Sequence, residues 1–156
     1  MPNPGVLDNE PYEASDVGLV GALRDLKETL SGQQTYSVIG YQCEVFENVV
    51  QGQALYCRAS DGKVGKAIAN DTFDKALVAG FAQTTKTTGQ TVNIIVRGLI
   101  ATSGLDQGDE YYLSNASAGA ITKTPPTTSS HYLTRIGEAA GSTELIIKLE
   151  PPILLS

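Results

Sequence analysis

The residue types that ordinarily carry chemistry are few in this chain and poorly spaced for it. His131 is the single histidine, so any imidazole base rests on one side chain in a Ser/Thr-rich stretch, where an exposed loop residue is expected. Gly62-Lys63-Val64-Gly65-Lys66 has the residue types of a phosphate cradle without the Lys-Ser/Thr pair at the required spacing. It reads instead as a hairpin turn between two short strands. No Gly-x-Ser-x-Gly elbow is present to raise a nucleophilic serine. Asp106, Asp109 and Glu110 form an acidic cluster, but the spacing of oxygen ligands in a Ca²⁺ loop is missing. Leu105-Asp106-Gln107-Gly108-Asp109 reads as a turn, with Asp bonding locally and Gly supplying positive φ. An enzyme is therefore not expected, nor a metal or a cofactor.

Cys43 and Cys57 are the candidates for covalent chemistry. If residues 41–46 and 54–58 pair as a hairpin centred on residue 50, the two cysteines face each other across the strands, close to disulfide range. Three states are open: bonded to each other, bonded to a partner chain, or both reduced, as a cytosolic protein keeps them. They form no zinc site, because a second pair of ligands is lacking.

What positions these residues follows from composition and pattern. The 156 residues suffice for one domain with a core. Charged residues are 18% of the chain, while 16 Gly, 15 Thr and 11 Ser fill the polar surface. A net charge of −6 argues against a nucleic-acid grip built on phosphate neutralisation. No apolar run is long enough for a membrane helix, so no membrane insertion is expected. The first residues lack the basic and apolar regions of a secretory signal, so assembly in a cytoplasm is expected.

Residues 1–13 read as an extended arm, because Pro2, Pro4 and Pro11 oppose a helix start. Residues 16–30 read as a helix, with Ser15 and Asp16 placed to cap it and Gly32 to end it. Leu19, Leu23, Leu26 and Leu30 are spaced 4, 3, 4, the seam of two heptads. Two heptads are marginal alone, so the helix either lies on a sheet of its own subunit or associates with help from the following domain, these leucines then lining a trimer seam. From residue 37 onward the pattern has period 2, with turn residues at short intervals. Strands are expected at 41–46, 54–58, 67–69, 76–82, 91–98, 110–115, 121–122, 133–139 and 143–149.

An internal repeat organises these strands. Gln51-Gly52 followed by Tyr56 recurs as Gln107-Gly108 followed by Tyr112, an offset of 56 residues. The segment 78–82 recurs as 135–139, an offset of 57. The expected fold is mainly β, an antiparallel sandwich or barrel built from two similar β-units, preceded by the arm and one short helix. The expected division is 1–35 for arm and helix and 36–156 for the duplicated β-domain.

The stretch Gln107-Gly108-Asp109-Glu110-Tyr111-Tyr112-Leu113-Ser114, then Gly119-Ala120-Ile121-Thr122-Lys123-Thr124-Pro125-Pro126-Thr127, then Arg135-Ile136-Gly137-Glu138-Ala139 resembles a module of tailed-bacteriophage structural proteins. Residues 54–64, with Gly80-Phe81-Ala82, look like its companion half. Such modules are typically trimeric and occur at tail-fibre ends and in capsid decoration (cement) proteins. The resemblance implies a virion protein assembled in a bacterial cytoplasm. It would be a short trimeric tail fibre, anchored by its N-terminal arm to a baseplate or tail protein and presenting the β-domain to a host surface glycan or protein. The alternative is a cement protein gripping the major capsid protein. Contacts are expected from two loops rich in hydroxyls, represented by Thr84 and Lys86 in one and by Thr127, Thr128, Ser129, Ser130 and His131 in the other.

Overall fold

Alternate residues Val92 and Ile94 are buried and Thr91 and Asn93 exposed along one long strand, and most of the sheet is assembled from that strand outward. The computed structural model describes residues 38–156, which include this strand. The expected arm, the expected helix and the seam Leu19, Leu23, Leu26 and Leu30 lie outside the described residues. In chain order the elements are β1 (Ile39–Glu44), β2 (Ala54–Cys57), β3 (Val64–Lys66), a helical turn α1 (Phe73–Ala76), β4 (Gly80–Ala82) and β5 (Thr91–Ala101). There follow β6 (Glu110–Leu113), β7 (Ile121–Thr122), β8 (Tyr132–Leu133), β9 (Arg135–Ala139), β10 (Glu144–Ile147) and β11 (Ile153–Leu154).

The sheet runs β3-β2-β4-β5-β10-β9-β6-β7, with β1 as an additional partner of β5. Every pairing between these strands is antiparallel, so the fold is the mainly β, antiparallel architecture that the period-2 pattern predicts. The order reads the same from both ends once β2, β3, β4 and β5 are matched to β6, β7, β9 and β10. Local bonds repeat as well. Gly52 N–H donates to the Ala82 carbonyl at 2.8 Å, and Gly108 N–H to that of Ala139 at 2.9 Å. Ala82 N–H returns a bond to Gln53, and Ala139 N–H to Asp109, each at 3.0 Å. The repeat is thus a repeat of strand order and of turn geometry, and the two units meet where Ile100 pairs with Leu145 and Leu99 with Ile146.

The sheet curls so that its ends approach. Just beyond β3, Ala69 N–H donates to the Ser114 carbonyl at 3.0 Å, and Gly119 N–H in the β6–β7 turn donates to Ala67 at 2.7 Å. The enclosed core draws on both units: Phe81, Ile95 and Ile100 from the first pack with Leu113, Ile136 and Leu145 from the second. A second cluster of Val45, Val49, Leu55, Val64, Val92 and Ile94 lies within the first unit.

Four sequence expectations are corrected. Residues 62–66 are not all turn and 67–69 are not a strand: Val64–Lys66 form β3, and 67–69 lie beyond its end. Residues 41–46 do not form a hairpin with 54–58: β1 pairs with β5, in a register that sets Cys43 opposite Val92, while β2 lies between β3 and β4. Burial wins over proximity here, because this arrangement brings Val45 and Val49 into the cluster with Val92 and Ile94, each at 0% exposure. Residues 76–82 are not one strand. Thr72 caps α1 by accepting a hydrogen bond from the Lys75 N–H, and the chain extends again only after Leu77. Residues 133–139 are interrupted at Thr134, a fully buried residue whose hydroxyl donates to the Ala76 carbonyl at 2.9 Å. Beyond Pro151-Pro152, β11 pairs with β8 in a separate two-stranded sheet.

Candidate functional site

Each of the two expected contact loops is held by a different neighbour. In the β4–β5 loop, Thr84 is exposed and Lys86 half-buried. Lys86 exchanges two backbone hydrogen bonds with Val49, both 2.9 Å, and Thr88 N–H donates to the Asn48 side chain at 2.9 Å. In the second loop Thr127, Thr128, Ser129 and Ser130 are exposed. Ser130 holds a φ of 69°, and its N–H donates to the Leu155 carbonyl at 2.8 Å. His131, expected to be exposed, is half-buried, with Nδ1 3.0 Å from the Asn115 side-chain nitrogen. Among the described residues no hydrogen bond joins the two loops, so they do not form a single site through direct polar contact.

The thiols of Cys43 and Cys57 are both free. Cys43 donates its S–H to the Gly62 carbonyl at 3.0 Å, and partial burial pushes its thiol above the ordinary range, with the nearby Cys57 adding to the shift. Cys57 is exposed at the end of β2. The acidic cluster is divided between two cations. Lys123 sits between Asp106 and Asp109, 3.1 Å from the latter, and Asp106 raises its pKa most. Glu110 instead pairs with Arg135, which also contacts Glu150 at 3.1 Å. Asp109 N–H donates to the Asp106 carbonyl at 3.1 Å, as in a turn.

A groove follows β5 through three connected depressions of about 250, 300 and 280 Å³. The first two share Gln83 and Ile95, and the last two share Gln51 and Ala101. At one end three exposed amides stand in a row across β1, β5 and the end of β4. Gln42 pairs with Asn93, Gln83 N–H donates to the Asn93 carbonyl at 2.9 Å, and the Asn93 side-chain N–H₂ donates to Gln83 Oε1 at 3.0 Å. At the other end Thr102, Ser103 and Thr143 provide hydroxyls. The middle is floored by Ile95, Leu99 and Ala101, and Glu144 is the one charged residue in the lining. Sequence reading did not find this groove. Its polar residues come from positions between 41 and 144, and no local spacing links them.

A separate apolar patch surrounds β8 and β11. Phe73 meets Tyr132 edge-on at 6.1 Å between ring centroids, and Tyr132 pairs with Leu154. Phe73, Leu77, Ile153 and Leu154 are between 43% and 60% exposed, as are Val38, Ile39, Tyr41 and Val50 in and around β1. No protein-family model matches the chain, and no curated protein gives a significant match to it.

Proposed function

We propose that the chain is a non-enzymatic structural subunit of a tailed-bacteriophage particle, a short homotrimeric tail fibre that attaches through residues 1–35 and presents its β-domain to the host. The supporting observation is the coincidence of two independent patterns. The segments that resemble phage modules, 107–114, 119–127 and 135–139, contain β6, β7 and β9 of the second unit. Residues 54–64 and 80–82 supply β2, β4 and the first residue of β3 in the matching unit. A pattern shared between the units is what a structural module requires, because turn glycines and strand registers are set by folding and not by one reaction.

The cement reading is favoured by a different observation, the exposed patch of Phe73, Leu77, Ile153 and Leu154. A broad apolar surface on the β-domain is suited to lying against a capsid face. Gold labelling of the chain on purified particles distinguishes the two: signal confined to the tail tip supports the fibre, and signal over the head supports cement. Signal on neither overturns both. Light scattering on the full chain reads the trimer, and Leu23→Asp with Leu26→Asp should dissociate or unfold it by placing carboxylates in the seam. In a fibre, replacing residues 127–130 with a Gly/Ser linker of equal length should lower adsorption to host cells while leaving the trimer intact.

A further inference from the structure

We propose that the groove along β5 is a binding site for a neutral oligosaccharide chain, recognised by the amide row Gln42, Asn93 and Gln83 at one end and by hydroxyls at the other. For the biological source of that glycan the proposal rests on the host-attachment reading; the chemistry of the site does not depend on it.

Charge narrows the ligand first. None of the lining residues is Lys or Arg, and Glu144 is the single charged one. A phosphate, sulfate or uronate chain would find no cation there, and the chain carries −6 overall. Hydrogen-bonding type narrows it further. Each amide offers two donors and a carbonyl acceptor, and each hydroxyl donates and accepts, which matches a ligand whose own groups are hydroxyls. Asn93 and Gln83 are already bonded to each other, which limits the side-chain freedom lost on binding.

An extended peptide binds a sheet by adding to an unpaired edge, and among the described residues Gly98–Ala101 has β10 as its one strand partner, so peptides enter the test as counter-probes. The apolar floor of Ile95, Leu99 and Ala101 lies between the two polar ends, where the C–H faces of sugar rings can pack. Between Asn93 and Ser103 an extended strand covers about 30 Å, so the groove accommodates several sugar rings and not one.

The test applies the purified full chain to a printed array of neutral bacterial O-polysaccharide fragments, with uronate- and phosphate-bearing fragments and extended peptides as counter-probes. The expected result is binding to at least one neutral fragment. In the isotope-labelled wild-type chain, that fragment should shift the side-chain amide resonances of Asn93 and Gln83. Two variants at exposed positions should each weaken binding at least tenfold with unchanged thermal unfolding: Gln83→Ala with Asn93→Ala, and Ala101→Trp, which blocks the middle. Ser60→Ala, at an exposed position outside the groove lining, should leave it unchanged. The proposal is overturned if no neutral fragment binds, if acidic fragments or peptides are preferred, or if the resonances and both groove variants show no effect. A chain found on the tail tip that binds no fragment overturns the groove alone. A chain absent from particles that still binds overturns the attachment reading alone.

Discussion

Gly52 and Gly108 hold the same backbone conformation, with φ of 85° and 87°, at equivalent turns of the two β-units, yet their surroundings differ. A Cβ at Gly52 would lie 2.9 Å from the Ala101 carbonyl oxygen and 3.0 Å from Thr102 Cβ, whereas a Cβ at Gly108 would meet nothing within 4 Å. Both Gly→Ala variants carry the left-handed penalty of about 1–2 kcal/mol. Gly52→Ala should cost about 1–3 kcal/mol more, because backbone atoms must also shift. Urea unfolding of the two variants checks this, and equal losses would contradict the stated contact.

Thr134→Val keeps the shape of a fully buried side chain and removes its bond to the Ala76 carbonyl. The loss should be about 1–3 kcal/mol, the usual effect of leaving a buried acceptor without its partner. Because the bond ties α1 to the chain between β8 and β9, hydrogen exchange should accelerate first at the amides of Ala76 and Leu77, which donate to Thr72 and Phe73. A variant as stable as the wild type would show that the bond adds nothing.

Arg58 donates two side-chain hydrogen bonds to Asp61, one of 3.1 Å, and these lower the carboxyl from 3.8 to about 2. A carboxylate with a depressed folded-state pKa stabilises the fold above its unfolded value and loses that contribution as pH falls. The Asp61 contribution should therefore be complete above pH 3.8 and fade toward pH 2. Carboxyl carbon NMR should place the Asp61 midpoint near the lower value, and Arg58→Gln should return it toward the upper one. Coincident midpoints in both proteins would refute the assignment.

The two thiols should label unequally. Iodoacetamide at neutral pH should modify exposed Cys57 before Cys43, whose thiol is partly buried and bonded to the Gly62 carbonyl. The reagent needs thiolate, and burial disfavours that form at Cys43. Peptide mapping of the unreduced chain should recover both cysteines alkylated. A peptide joining them, or first labelling at Cys43, would contradict this.

The sequence made the repeat legible because its signals are local. Gln51-Gly52 and Gln107-Gly108 each place a glycine where a turn needs positive φ, and the alternation after each turn fixes which residues face inward. The hairpin around Gly62 was legible for the same reason, although its second strand begins at Val64, inside the stretch read as turn. The partner of β1 was not. Hairpin logic offers the nearest strand, whereas β1 crosses to β5, and Val45 and Val49 are buried with Val92 and Ile94. The four-residue turn α1 was hidden by the apolar residues Ala76, Leu77 and Val78, which read equally well as a strand. Of the candidate site, the loops were found as loops, but the amides beside β5 were not, since Gln42 and Gln83 become neighbours of Asn93 only through sheet register.

The mirrored strand order has a consequence for how the chain divides. With β5 and β10 antiparallel at the centre, each unit offers the other the same kind of strand edge, as two identical subunits do across a twofold axis. The domain has the geometry of an isologous dimer contained in one polypeptide. A break in the Thr102–Asp109 connection would leave two fragments, each with one unpaired edge whose complement is the other fragment, and a dimer-like reassociation would restore the sheet.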